Sequence, residues 1–407
     1  MTLYADAPAA LQPAPDNRVK DGIHRLSMNI LYATDFHNRA NSGITFAIDA
    51  LVGQASAQLS PKGSVNLLSI GESDISVREG VRHFTVEPGI GPARAWRFAP
   101  SFASTCEAVI KRETITLVHI HGIWMYPQFA AARAAQHSGL PTVLTNHGAI
   151  QWALRQPGLL GAAKKRLYMR MMKDRLFRNI TVQHAITQQD RDALYSFYPH
   201  DRIEVIPNFV DLGTLDRELA SVHGQSGEPY VLYLGRLHPT KGIDLLIEAF
   251  GRAGLAHDWR LLVVGPTVDR PYTDRLHRLI AASPRADRIE IRDAVWEPAE
   301  KYRLMRDAWV TAVPSHTEVI SLVNLEASAC GTPTITTKAT GLTDWAEGGG
   351  VLIEPALAPL TRALSEAARW SDDERKQRGL ASRRLIERRY SAQTVMPRWL
   401  ELYQSLQ

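Results

Sequence analysis

Short apolar runs rich in β-branched residues alternate along this chain with stretches whose apolar positions recur at helical spacing. A period near two over five residues marks a strand, and a period near 3.6 over ten or more marks an amphipathic helix. The first half predicts strands over Asn29–Ala33, Val65–Ile70, Thr116–Ile120, Thr142–Asn146 and Thr181–His184. A second series runs over Tyr230–Leu234, Arg260–Val264, Arg288–Ile291, Val310–Val313, Thr334–Thr336 and Val351–Ile353. Helices fit between them, for instance over Ile44–Leu59, Pro127–His137, Ile243–Ala253 and Ala299–Asp307. This alternation predicts an α/β protein with two doubly wound domains, each built on a parallel sheet.

Residues 25–210 form the expected first domain and residues 229–389 the second. The stretch Asp211–Glu228, with its polar SVHGQSGE, reads as the linker. The chain is strongly helical from Leu364 onward. A last helix near Ala392–Ser405 carries Val395, Met396, Trp399, Leu400, Leu402 and Tyr403, enough apolar surface to dock back on the first domain. Residues 1–24 lack the charged start and apolar segment of a secretory signal and read as a disordered leader. In doubly wound sheets ligands bind at the carboxyl ends of the strands, so two such domains would face each other across a ligand cleft.

Composition narrows the picture modestly. At 407 residues with 45% hydrophobic and 22% charged positions, the chain is long enough for two substantial cores. The net charge of +5 favours anionic partners such as nucleotides and phosphates. Nucleic acid is disfavoured, because zinc-ligand spacing and RNA-binding aromatic signatures are missing. Cys106 and Cys330 sit among small and apolar residues as expected buried thiols, and a reducing cytoplasm fits them.

Two places carry chemistry. Glu326 lies in the run LVNLEASAC, where an ionised group loses several kcal/mol of hydration unless something pairs with it. Glu318 precedes it by eight positions and is expected on the loop after a strand, so that both carboxylates face one crevice. The second place is the strand YVLYLG followed by Arg236-Leu-His-Pro-Thr-Lys241-Gly242 and a helix. A planar guanidinium and an ammonium on one strand-to-helix loop suit a diphosphate.

GRLHPTKGIDLLIEAF, LLVVGPT, AVPSHTE, the Glu318-to-Glu326 spacing and ACGTPTITT together resemble the family 4 glycosyltransferases. In the first half HIHGIWMYPQFAAARAAQHSGLPTVLTNHGAI and RIEVIPNFVD extend the resemblance, which covers nearly everything from residue 28 onward. It implies a GT-B fold and retaining transfer of a sugar from a nucleotide diphosphate sugar, with no metal and no further cofactor. Arg236 and Lys241 match the family's pyrophosphate binders, and Glu326 its ribose-binding carboxylate. Glu318 matches the carboxylate near the donor sugar, and His147 in NHGAI a histidine close to the reaction centre. Gly43 in NSGIT matches a glycine turn whose amide approaches the diphosphate. Amides at the helix start near Ser321, Leu322 and Val323 would add dipole stabilisation.

The chain also departs from the family. Val319-Ile320-Ser321 stands where the family usually has Gly-Phe-Gly, and Ser42 where a second glycine is common. These departures bear on the donor sugar, and they motivate a non-catalytic nucleotide-sugar-binding subunit as an alternative. A GT-B nucleotide-sugar epimerase is another. A nicotinamide dehydrogenase is disfavoured, since no GxGxxG follows the first strand. Asp190-Arg-Asp192 spells a metal-binding DxD but reads as a solvated helix face. His121 reads as structural or acceptor-side, and Trp124, Tyr126 and Trp152 as groove or packing aromatics. Ala162–Arg178 mixes seven Lys or Arg with apolar residues at helical spacing. It is a candidate peripheral contact with the inner face of a cytoplasmic membrane, alongside a glycan or lipid-linked acceptor.

Overall fold

A computed structural model describes residues 27–39, 42–75, 78–91, 96–150, 175–224 and 227–407. The first half begins with β1 (Asn29–Phe36), α1 (Ser42–Leu59), β2 (Ser64–Ile70), β3 (Val81–Val86), α2 (Phe102–Arg112) and β4 (Leu117–His121). It continues with α3 (Tyr126–His137), β5 (Thr142–Thr145), β6 (Val182–Ala185), α4 (Gln188–Phe197) and β7 (Ile203–Val205). Seven parallel strands pair in the order β3-β2-β1-β4-β5-β6-β7. The central strands β4, β5 and β6 are buried on both faces, as parallel strands under helices must be.

The second half follows a helix α5 (Leu212–Ala220) and runs β8 (Tyr230–Leu234), α6 (Ile243–Arg252), β9 (Arg260–Val264), α7 (Arg270–Ala281) and β10 (Ile289–Arg292). Then come α8 (Pro298–Asp307), β11 (Val310–Val313), α9 (Leu322–Ala329), β12 (Thr334–Thr337), β13 (Val351–Ile353), α10 (Leu357–Ala367) and α11 (Asp372–Arg389). Its six parallel strands are ordered β10-β9-β8-β11-β12-β13. The order reverses between β8 and β11, so the loops after these two strands open at the switch point of this sheet. The expected α/β class with two parallel sheets is what the chain adopts.

Most strands lie within a residue of where the hydrophobic pattern places them. The edge strand β3 and the short β7 are absent from that pattern. Their residues are mostly half-exposed, so their side chains carry little periodic signal. The stretch expected as a linker is not wholly irregular. Asp211 caps α5 by accepting from the Thr214 amide, and α5 buries Leu212 and Leu215.

The last helix, α12 (Ala392–Gln404), belongs to the first sheet. Val395, Met396, Trp399, Leu402 and Tyr403 pack with Ile30, Tyr32, Leu117, Val143 and Val182 in one core. The crossing to this helix runs beside the earlier crossing. The Val210 amide donates to the Tyr390 carbonyl at 2.8 Å, and the Ala392 amide to the Val210 carbonyl at 2.9 Å. A large-to-small change at a buried aromatic costs about 3–5 kcal/mol. Trp399→Ala is therefore expected to lower the urea midpoint of the first domain by that equivalent, and wild-type stability would show α12 to be dispensable.

Candidate active site

The second domain brings two cations and two carboxylates to its open end. β8 ends at Leu234, and the following turn carries Arg236, whose exposed guanidinium has no hydrogen-bond partner among the described residues. A short 3-10 turn, Pro239–Lys241, then leads into Gly242, whose φ of +67° admits a glycine readily. A Cβ there would lie 2.3 Å from the Pro314 carbonyl oxygen, so only glycine lets the turn rest on the loop after β11. The His316 amide donates to the Thr240 carbonyl at 2.9 Å and ties the same two loops. In consequence Lys241 Nζ reaches Glu318 Oε2 at 2.5 Å, and Ser315 Oγ donates to the same oxygen at 3.2 Å. Two residues 77 positions apart thus meet on neighbouring loops.

Glu326 lies in the second turn of α9 and is also paired. Lys301 on α8 donates from Nζ to Glu326 Oε1 at 2.7 Å. Burial opposes a charge on Lys301, yet the Glu326 carboxylate outweighs it and raises the lysine above its ordinary range. The apolar helix therefore tolerates Glu326 because a neighbouring helix supplies an ammonium as the pairing group. Lys301 was missed from sequence, since its AEKYR setting looks like an ordinary helix surface. Ser321 makes no side-chain cap at the start of α9. Helix geometry leaves the Leu322 and Val323 amides without acceptors inside the helix, at the end nearest Glu318.

The first domain contributes a buried relay of neutral side chains beneath the cleft. His184 Nε2 lies 2.8 Å from the Ile206 carbonyl oxygen, which can only accept. His184 therefore carries its proton on Nε2, and its Nδ1 accepts from Thr145 Oγ at 2.8 Å. Thr145 in turn accepts from His119 Nε2 at 2.7 Å, and His119 Nδ1 accepts from Tyr403 at 2.8 Å. Tyr32 completes the chain by donating to Tyr403 at 3.2 Å. One backbone carbonyl thus sets the direction of five hydrogen bonds.

Above the relay, His147 sits in the turn after β5 with φ +52°, and its Nε2 lies 2.9 Å from His121 Nδ1. Neighbouring Asn146 donates to Asp190 at 3.2 Å, and the Ile186 amide donates to Asp190 at 3.0 Å. Asp190 is fully buried while Asp192 is exposed. The DxD is thus only half a solvated face: its first carboxylate anchors the His147 turn from within. Burial raises Asp190 to about 6, against the two donors that lower it. His121, His147, His184 and Thr145 border a small pocket with Asn208 and Phe209. Trp124 and Tyr126 pack among Trp96, Phe98 and Phe197 in the first domain. Trp152 and most of Ala162–Arg178 lie outside the described residues, as does the leader.

The two halves touch at both ends of the cleft. A Cβ built on Gly148 would lie 1.7 Å from Val319 Cγ2, so Val319 is seated against the backbone beside His147. Ile320 and Ile186 share a core cluster, and the backbone of Gly341 closes on Val319 and Thr187. At the other end Phe46 on α1 lies 6.4 Å from the Trp296 ring and 5.8 Å from Lys301 Nζ. The Arg39 guanidinium lies over Trp296 at 5.4 Å. Gly43 begins α1 with ordinary negative φ and nothing within 4 Å of a built Cβ. Its value is open space at a helix start rather than a strained turn. Among the described residues no cluster of three His, Cys, Asp or Glu is placed to hold a metal. None of the described helices is long and apolar enough to cross a membrane.

Two parallel-sheet domains meeting at their carboxyl ends, with this cation and carboxylate set between them, define a GT-B glycosyltransferase. Residues 61–208 match the glycosyl transferase 4-like domain, and residues 216–378 match the glycosyl transferases group 1 model. The D-inositol 3-phosphate glycosyltransferase of Xylanimonas cellulosilytica is 30% identical over 308 residues, covering 70% of this chain and 71% of its own. The chain belongs to the family 4 glycosyltransferases. Among solved structures, sucrose-phosphate synthase from Thermosynechococcus elongatus superposes with a TM-score of 0.75 at 20% identity, over 93% of this chain and 99% of its own. Anabaena HepE, solved with UDP and glucose, gives 0.72 at 18% identity, over 93% and 100%.

Burial lowers His147 to about 4 and His184 to about 3, so both are neutral in the fold and protonate more readily when it opens. Their contribution to stability is complete above pH 6.5 and falls as pH drops from there toward 4. The loss approaches roughly 1.4 kcal/mol per pH unit for each such histidine. The melting temperature should fall measurably between pH 6.5 and 5, with a shallower slope for His184→Gln. A melting temperature flat across that window would contradict neutral burial. Gly148→Ala places a Cβ on Val319 and strains a φ of +71°. It should lose most activity while Gly139→Ala, whose Cβ meets nothing within 4 Å at similar φ, loses stability only.

Proposed function

We propose that this chain is a retaining glycosyltransferase that moves a sugar from a nucleoside diphosphate sugar to a hydroxyl of a glycan or lipid-linked acceptor. The carrying observation is the meeting of Arg236, Lys241 and the open start of α9 at one switch point, with a carboxylate on either side. Arg236 has no hydrogen-bond partner among the described residues, and Lys241 holds three donors of which Glu318 uses one. A diphosphate leaving group gains negative charge as the glycosidic bond breaks, so these cations act most strongly at that point. The Leu322 and Val323 amides beside Ser321, and the Gly43 end of α1, suit the same oxygens.

Glu326 takes the ribose hydroxyls, with Lys301 hydrogen-bonded to one of its carboxylate oxygens. Glu318 faces the sugar, oriented by Lys241 and Ser315, and His147 reaches the reaction centre from the opposite domain. The acceptor hydroxyl gives its proton to the departing phosphate oxygen on the same sugar face, which retains configuration and asks for no separate base. The UDP and glucose of HepE support a nucleotide-sugar donor, and the inositol phosphate named for the Xylanimonas relative supports a hydroxyl-bearing acceptor. A role in polysaccharide or glycolipid synthesis follows from that acceptor class. The Val319 contact with Gly148 favours one rival, a subunit that binds the donor without transferring from it.

A thermal-shift screen of nucleotide sugars on the wild type, Glu326→Gln and Arg236→Ala tests this reading. One nucleotide sugar should stabilise the wild type and lose most of its effect in both variants. Arg236→Ala removes charge-assisted bonds worth about 1.5–3 kcal/mol each, a roughly 10- to 100-fold loss in kcat/KM. Stabilisation by no nucleotide would refute the donor site, and binding without a glycosylated product would select the non-catalytic rival.

A further inference from the structure

The His121–His147 pair lies outside the relay whose direction Ile206 sets, so its own proton needs a separate argument. His121 Nδ1 and His147 Nε2 are 2.9 Å apart and the two rings stack at 5.2 Å with 28° between planes. One nitrogen must donate and the other accept. His121 Nε2, on the far side of the ring, is buried and has no partner among the described residues. Were His147 the donor, His121 would carry its proton on Nε2 and bury an N–H with no acceptor. Orphaned buried N–H groups are rare, whereas an unfilled lone pair is a smaller loss. The opposite arrangement leaves only that lone pair unfilled.

We propose that His121 is a positioning residue: it donates from Nδ1–H to His147 Nε2 and thereby fixes His147 as the Nδ1–H tautomer. His147 then has its lone pair occupied and one polar hydrogen left for the cleft, since its Nδ1 bonds nothing among the described residues. In that state it is a neutral hydrogen-bond donor, and the ligand atom it takes is an oxygen, a sugar hydroxyl or a phosphate oxygen. It does not remove a proton from the acceptor, which agrees with the leaving phosphate doing so. Both rings are held for this purpose. Gln128 Nε2 donates to the His121 carbonyl at 2.9 Å, and Asn146 and Asp190 anchor the His147 turn. The ligand assignment rests on the proposed transferase reading; the tautomer does not.

Long-range proton–nitrogen correlation of the full chain labelled with ¹⁵N-histidine, with no substrate present, tests the tautomer directly. His147→Gln identifies the His147 signals. The expected result is a protonated-type shift at His147 Nδ1 and an unprotonated-type shift at Nε2, and the reverse pattern overturns the proposal. This outcome is independent of whether any nucleotide sugar binds. Kinetics with the stabilising donor then test its consequence. His121→Asn keeps an N–H near the lost Nδ1 and should retain kcat within about 5-fold. His121→Asp can only accept when ionised, turns the His147 proton to Nε2, and should lower kcat roughly 10- to 100-fold with KM for the donor changed less. Equal losses in the two variants would overturn the positioning role.

Discussion

The packing of the last helix against the first sheet is the constraint on which the cleft depends. Trp399 and Tyr403 fill the core beneath β1, β4 and β6, and this brings the chain back across the gap beside Val210. Two antecedents of the site follow from one docking event. The domains are held by paired crossings rather than by a single strand of chain. Tyr403 also starts the hydrogen-bonded run through His119 and Thr145 to His184, a buried floor for the turn that carries His147. Such a network is stable only when every polar atom is satisfied, and in this relay each donor has its acceptor.

Above this floor the cleft is an arrangement of paired charges and one steric contact. Lys241 with Glu318, and Lys301 with Glu326, keep four ionised groups half-buried at a tolerable cost, because each has its partner at hydrogen-bond distance. Arg236 stands apart, exposed and without a hydrogen-bond partner among the described residues. Val319 rests on Gly148, so the departure from the family's glycine pattern is also a join between domains. The same residue places the second domain against the His147 turn.

Much of this was legible in the linear pattern. The central strands announce themselves because both their faces are buried, so apolar runs cannot be avoided there. Edge strands β3 and β7 escape notice because exposure frees their side chains from that demand. Arg236, Lys241, Glu318 and Glu326 stand out as charges at strand ends or within apolar helices. Lys301 and Asp190 do not, since a helical surface lysine and a DxD on an amphipathic helix look the same whether solvated or buried. Asp190 becomes an anchor only because α4 turns it toward Asn146.

The sequence by itself therefore determined the two parallel-sheet domains, the loops at their carboxyl ends and the charge types those loops carry. Periodicity and composition act over a few residues, and these features are local. Tertiary structure alone decided which carboxylate pairs with which cation, that Val319 meets Gly148, and that His121 lies against His147. Such contacts join residues from 25 to well over 100 positions apart. Their partners are chosen by sheet order and domain closure, for which no local spacing carries a signal.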